Sequence, residues 1–339
     1  FEDSQNQLWV GTGAGLNRYN RVTDSFIRYS HDSDDSTTIT NGGIHCICED
    51  RSGVLWFGTS NGFNRFCEKT GRFKRYHYDA ANPDQYGKNY IEAIDQDQQG
   101  RLWIATCDGL YMMQPGSDST SYSPIPDHAI PVKHRWVETL FVDRDNNLWI
   151  GSSGFGFLLK RPDQNHAAYL DKQPYSNNGR QFFQDSDGMI WIGTNLGLFS
   201  FDLHKREWAE YYYNPQNMDG ICSNEILSFC QDRNGTLWIG TRNGGVCYIP
   251  KSGKPFQNYT LPFPDSKLFN NSKVTSFAQD IDGEYWIGTF GMGIFKFNRT
   301  EHTFQHIRIN PDYGPLTTSP DFISKLFVDS QNILWVGTT

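Results

Sequence analysis

A surplus of positive charge is missing from this sequence. Its 339 residues carry 38 acidic and 30 basic side chains, a net charge of −8. A nucleic-acid surface needs a basic stripe to neutralise phosphates, so that class of partner is set aside. No block of like charges suits an anionic membrane, and no run of 18 apolar residues crosses one. No start Met and no signal peptide stand at the head of the chain. It opens on Phe1 and closes on Thr339, both inside a repeat, so it reads as a segment of a longer protein whose targeting signals and anchors lie elsewhere. Cysteine is scarce too. There are seven, and an odd number excludes complete pairing within the chain. Neither the cysteines nor His45, His128 and His134 stand at zinc spacing, so no metal and no cofactor is expected. Cys48 and Cys230 fall in a repeat column that elsewhere holds Ala278 or Phe327, which marks the cysteines as small buried thiols.

What the chain has is aromatic residues (15 %), 32 glycines and 15 prolines, a composition of strands and turns. It also repeats. Asp280-Ile-Asp-Gly-Glu-Tyr-Trp-Ile-Gly-Thr289 recurs in eight versions, around Trp9, Trp56, Trp103, Trp149, Trp191, Trp238, Trp286 and Trp335. The intervals are 47, 47, 46, 42, 47, 48 and 49 residues, a period that belongs to repeat folds. Each copy alternates four short runs with turns. Val274 opens an alternating strand, Asp280 to Gly283 supplies turn chemistry, and the tryptophan strand follows. A glycine connection, a third strand, a polar turn and a fourth strand complete the copy. The fourth strand is vague around Tyr122 and Tyr169. Such a unit is a four-stranded antiparallel meander.

One 45-residue sheet cannot bury both of its faces, whereas radial stacking protects both faces and edges. The predicted fold is therefore all-β, a β-propeller of seven four-stranded blades occupying residues 1–339 as one domain. The tryptophans are expected between blades. The aspartates of the Asp-x-x-Gly turns are read as turn formers rather than calcium ligands.

The repeat Asp-x-x-Gly-x-Leu-Trp-Ile-Gly-Thr-x-x-Gly-Leu-x-x-Tyr resembles that of the two-component-regulator propeller family. Arg51 to Phe66 and Asn234 to Gly245 match it closely. Departures are local: Ala105 stands for the glycine of Gly-Thr, Ser152 for its threonine, and Asn146 and Asn332 for the turn glycine. The resemblance implies a periplasmic sensor module of a membrane-bound regulator, often a hybrid two-component system of Bacteroidetes. It implies a second propeller, an immunoglobulin-like domain and a histidine kinase in the same protein, and an oligosaccharide as signal. A homodimer is a further expectation. Nucleic acid and direct membrane contact are not expected partners.

Propeller geometry places the loops leading into strand one on the same face as the turns between strands two and three. These lead-in loops are the long, variable segments 31–43, 79–89, 115–135, 214–224, 261–272 and 310–321, where binding residues tend to reside. The residues just before strand one are Gly43, Tyr90, Trp136, Asn178, Glu225, Lys273 and Phe322. Two positions on stand His45, Glu92, Glu138, Arg180, Leu227, Thr275 and Ser324. The candidate ligand-binding set is Trp136, Tyr90, Glu92, Glu138, His45, Arg180, Asn178, Glu225, Lys273 and Phe322. Trp136 leads it: apart from the eight repeat tryptophans and Trp208 in a fourth-strand column, it is the tryptophan that lies off the repeat. Its ring would stack on a sugar while polar neighbours bond the hydroxyls. The plainer reading packs it against a loop or another domain. No catalytic residue is assigned, and a kinase activity is expected elsewhere in the full protein. An enzyme using Glu92 and Glu138 as a carboxylate pair, glycosidase or lyase, is the first alternative. A structural docking propeller is the second.

Overall fold

Short runs with branched and aromatic residues at alternate positions become strands because only a pleated surface buries one side of each run. The computed structural model describes residues 1–77, 89–117, 136–152, 156–164, 167–168, 170, 179–217, 219–251, 256–259, 261, 273–298, 301–307 and 322–338. Every named element in them is a strand, 27 in all, arranged in eight antiparallel sheets. The chain divides into two compact units, Phe1–Gln173 and Pro174–Thr339. Each unit holds four consecutive sheets.

In the first unit, sheet 1 comprises Trp9–Thr12, Gly15–Asn20 and Ser25–Tyr29. Sheet 2 has four strands, Ile44–Glu49, Leu55–Thr59, Gly62–Cys67 and Arg72–Tyr76. Sheet 3 is Ile91–Gln96, Leu102–Thr106 and Gly109–Met113, and sheet 4 is Val137–Val142, Leu148–Ser152 and Gly156–Lys160. The second unit holds the four-stranded sheets 5, 6 and 7, whose first strands are Gly179–Gln184, Ile226–Gln231 and Lys273–Gln279. Sheet 8 is the pair Ile323–Val328 and Leu334–Thr338. The vague fourth strands expected around Tyr122 and Tyr169 lie outside the described residues.

The repeat motif is explained residue by residue. In all eight copies the tryptophan Nε1–H donates to Oδ2 of the turn aspartate six positions earlier, from Asp3 and Trp9 (2.8 Å) to Asp329 and Trp335 (2.9 Å). Oδ1 of the same aspartate accepts backbone N–H groups inside the turn, as Asp232 does from Asn234 (2.8 Å) and Thr236 (2.9 Å). One carboxylate thus closes the turn and fixes the indole. The indole in turn packs on the next sheet within its unit: Trp9 with Phe57 and Phe66, Trp56 with Ile91 and Leu102, Trp238 with Val274 and Ile287.

The motif glycine has an equally local reason. A Cβ on Gly58 would lie 2.7 Å from Ile91 Cγ2 and 2.5 Å from Cys46 Sγ, and one on Gly288 would lie 2.8 Å from Ile323 Cγ2. These isoleucines begin the first strand of the following sheet. Where alanine stands instead, Ala105 shares its buried cluster with Val137, one carbon smaller than isoleucine. The turn departures also keep the geometry. Asn146 and Asn332 have φ of 65° and 63°, close to the 80° of Gly53, a left-handed conformation that asparagine tolerates. Each adds a bond to the preceding sheet, from Gln98 N to Asn146 Oδ1 (2.6 Å) and from Ile281 N to Asn332 Oδ1 (2.8 Å).

Burial pushes the thiols of Cys46 and Cys48 up to about 12 and that of Cys230 up to about 11, the behaviour of apolar packing groups. The reading of all seven cysteines as buried thiols needs correction at three of them, one being Cys67, which is exposed at the end of the third strand of sheet 2. Cys222 and Cys247 form a disulfide, with Cα atoms 6.1 Å apart. Residues 219–222 lie against sheet 6, Gly220 O accepting from Asn258 Nδ2 at 2.9 Å, and bring Cys222 within bridging distance, a proximity that sequence spacing does not reveal.

Candidate functional site

A β-bulge lies at the start of the first strand in sheets 2 to 8. The register steps from Ile44↔Thr59 to Cys46↔Gly58, from Ile91↔Thr106 to Ala93↔Ala105, and likewise in sheets 4 to 8. The extra residue is in turn His45, Glu92, Glu138, Arg180, Leu227, Thr275 and Ser324, the second column of the sequence reading. A bulge withdraws its residue from the ladder and re-aims the side chain. In sheets 2, 3 and 6 the residue before the first strand is tied to the chain just past the end of the second strand. Ser60 N donates to Gly43 O (3.2 Å), Cys107 N to Tyr90 O (3.3 Å) and Arg242 N to Glu225 O (3.0 Å). The entry to the first strand and the turn between strands two and three therefore meet at one end of these three sheets.

In the first unit this end carries a continuous strip over three sheets. His45 Nε2 bonds Ser60 Oγ at 2.8 Å, and its ring lies 4.4 Å from that of Tyr90 at an interplanar angle of 33°. Glu92 accepts the indole N–H of Trp136 at 2.9 Å and the thiol of Cys107 at 3.6 Å. Ser152, the serine that replaces the motif threonine, donates to Trp136 O at 2.8 Å. Elsewhere the motif threonine caps its own turn, as Thr59 does on Gly62 O (2.9 Å). Trp136 is thus held by its indole N–H and its carbonyl while 43 % of the residue stays exposed. A partly exposed indole fixed by hydrogen bonds suits stacking.

The electrostatics are those of a partly desolvated strip. Burial lowers the His45 pKa, with the Glu92 charge opposing it, so the ring is held neutral as an acceptor or single donor. Burial and then the charges of Glu92 and Glu138 push the Cys107 thiol up to about 12, so Glu138 acts on the same spot. The first lead-in loop is itself well tied. Arg75 donates from Nε to Thr38 O (2.6 Å) and from Nη2 to Asp32 O (2.8 Å), and Asn64 Oδ1 accepts from Thr40 N (2.9 Å).

The remaining candidates are in the second unit. Glu225 pairs with Arg242 at 2.6 Å. The Lys273 ammonium lies 4.8 Å above the Phe290 ring, which is 4.5 Å from that of Phe322. Arg180 is exposed at the bulge of sheet 5. Asn178, His128 and His134 lie outside the described residues, as do most of the loops at 79–89, 115–135, 261–272 and 310–321. Ser60, Cys107, Arg242 and Phe290 were not singled out from sequence, and Ser152 only as a departure from the repeat. They lie in or beside the turns after the motif threonine, which the predicted topology places at this end. Among the described residues no three His, Cys, Asp or Glu side chains gather as a metal site.

Six segments, residues 38–61, 85–108, 131–154, 174–196, 220–243 and 268–291, match the profile of the two component regulator propeller. No curated protein matches the chain. Among solved structures, the extracellular domain of a putative hybrid two component system from B. thetaiotaomicron is similar at 20 % identity and a TM-score of 0.42. That match covers 98 % of this chain but 51 % of the other, so the chain spans about half its length. A streptogramin B lyase is similar over 88 % of this chain and 91 % of its own, at 14 % identity and a TM-score of 0.58. A Dos1 propeller is similar over 98 % of this chain and 87 % of its own, at 10 % identity and a TM-score of 0.67. The fold is an all-β propeller type.

Proposed function

Because the chain belongs to the two component regulator propeller family, we propose that it is a sensor propeller, residues 1–339 forming one seven-bladed domain that binds an oligosaccharide. The single observation that carries this reading is the strip His45–Tyr90–Glu92–Trp136, with a fixed, half-exposed indole beside a carboxylate. A sugar ring presents C–H groups to the indole face, and its hydroxyls suit Glu92 and the neighbouring Glu138. Binding biases the arrangement of this module against a neighbouring propeller, an immunoglobulin-like domain or a second copy, and so a histidine kinase across the membrane. The Cys222–Cys247 disulfide suits a periplasmic location, because such bonds persist in oxidising compartments.

The test is calorimetry of the folded chain against a panel of oligosaccharides, repeated with Trp136→Ala. Saturable binding by one glycan class, weakened at least about tenfold by loss of the stacked ring, is expected. No binding from any class by a folded protein overturns the proposal. The enzyme reading has one favourable observation, that Glu92 and Glu138 are the bulge residues of adjacent sheets.

A further inference from the structure

The first unit holds a recess at the opposite end of the sheets from the Trp136 strip. It has a volume of about 470 Å³ and opens between sheets 2 and 3, beside the Asp50 turn and the 114–117 segment. That volume is within the range of small-molecule sites. One wall is apolar, made by Trp56, Leu102 and Met113. The rim carries two guanidinium groups, Arg51 and Arg65.

The polar groups of this recess divide into committed and uncommitted ones. Asp50 is committed to Trp56 Nε1 (2.9 Å), Ser52 Oγ (2.6 Å) and Val54 N (3.0 Å). Gln96 is committed to Arg51 N (2.8 Å) and Gly100 O (3.1 Å). Neither guanidinium makes a hydrogen bond or an ion pair among the described residues. In sheets 1 and 7 the basic residue paired with the motif tryptophan lies over its ring, Arg18 at 5.7 Å and Lys296 at 5.1 Å. Arg65 is paired with Trp56 in the same register yet makes no such ring contact among the described residues. Tyr76 is 3 % exposed, lines the recess, and its hydroxyl also has no partner among the described residues. The Lys74 ammonium, 5.2 Å from the Tyr76 ring, adds positive charge.

We propose that this recess binds a small organic anion with a flat apolar body. Arg51 and Arg65 take its carboxylate or sulfonate, the Tyr76 hydroxyl bonds it, and Trp56, Leu102 and Met113 cover the ring. Paired guanidinium donors match the geometry of such an anion, and the apolar wall excludes a hydrated inorganic ion as the best occupant. In the lining the two guanidinium groups outnumber the single carboxylate, Asp50. This inference is independent of the oligosaccharide reading.

The test uses the full chain and 2-naphthoate, with 2-naphthol and sodium sulfate as comparison probes, by calorimetry. Saturable 1:1 binding of 2-naphthoate is expected, at least about tenfold tighter than 2-naphthol or sulfate, because a charge-assisted pair is worth about 1.4 kcal/mol or more. Arg51→Ala with Arg65→Ala weakens naphthoate at least about tenfold and leaves naphthol unchanged. Neither side chain bonds the fold, so the thermal midpoint checks that the double variant is intact. Tyr76→Phe, a second variant, weakens naphthoate about threefold to tenfold. Absence of saturable naphthoate binding, or unchanged binding in the double variant, overturns the proposal. Trp136→Ala leaves naphthoate binding intact, so failure here and failure of the glycan reading are separable.

Discussion

Asp232 offers the sharpest test of how the repeat is held together. Its Oδ1 accepts the turn amides of Asn234 and Thr236, and its Oδ2 accepts Trp238 Nε1 at 3.1 Å and Tyr285 Oη at 2.6 Å. Tyr285 comes from sheet 7, so one carboxylate joins a turn, its own sheet and the next. Asp232→Ala removes four acceptor contacts. The two turn amides regain water. Trp238 and Tyr285, both 2 % exposed, do not. Each buried donor left without a partner costs about 1–3 kcal/mol, so the variant should lose about 3–5 kcal/mol. For a unit of this size that is on the order of 10 °C in Tm. Asp232→Asn keeps Oδ1 but sets an amide N–H₂ against the indole donor, and should lose about half as much. Urea unfolding followed by intrinsic fluorescence measures both.

The charge of Asp232 adds a pH signature. Burial alone raises its pKa, but the bonds from Tyr285, Trp238 and the turn amides overcome this and hold it below the ordinary carboxylate value. A folded pKa below the unfolded one gives stability that is present above about pH 3.9 and is lost as pH falls through the folded value. The wild-type chain should therefore lose stability below about pH 4, and Asp232→Asn should lose less of it there. An alanine variant within about 0.5 kcal/mol of wild type, a margin typical of inert surface changes, would refute the account.

Three further expectations follow from packing, covalent structure and chemistry. Gly58→Ala should destabilise by about 1–3 kcal/mol, since its Cβ meets Ile91 and Cys46, and Ile91→Val should restore part of that in a thermal melt. Alkylation without reductant, read by intact mass, should leave Cys222 and Cys247 unlabelled, and reductant should expose both. Five labelled thiols among Cys46, Cys48, Cys67, Cys107 and Cys230 in denaturant are expected, and seven would remove the disulfide. Glu92→Gln and Glu138→Gln in a glycan turnover assay separate sensor from enzyme: any activity that both variants retain does not use that pair.

The sheets were legible in the sequence because the repeat states them eight times. Period-two alternation before each Asp-x-x-Gly turn places the first strands within a residue of Ile44, Ile91, Val137, Ile226 and Ile323. The aspartate's second duty, on the indole, was present as a fixed interval of six residues but needs coordinates to be seen as a bond. The candidate residues were legible only as positions. That Trp136 donates to Glu92 depends on which side chains neighbouring sheets bring together, and that Lys273 covers Phe290 depends on the register of two strands in one sheet. The Cys222–Cys247 bridge escaped for the same reason, and the Arg51–Arg65 recess had no sequence signal because arginine beside a motif tryptophan also serves as a ring cover at Arg18.

The bulge that opens the first strand of seven sheets has a consequence for how such a protein changes. The residue it expels from the ladder contributes no cross-strand pairing, while its neighbours on either side keep theirs. In this chain those seven positions hold an imidazole, two carboxylates, a guanidinium, an isobutyl group and two hydroxyls. Each copy of the motif thus maintains its own folding instructions and leaves one site per copy free to diverge. A substitution at one such position leaves the strand pairing of the others as it was.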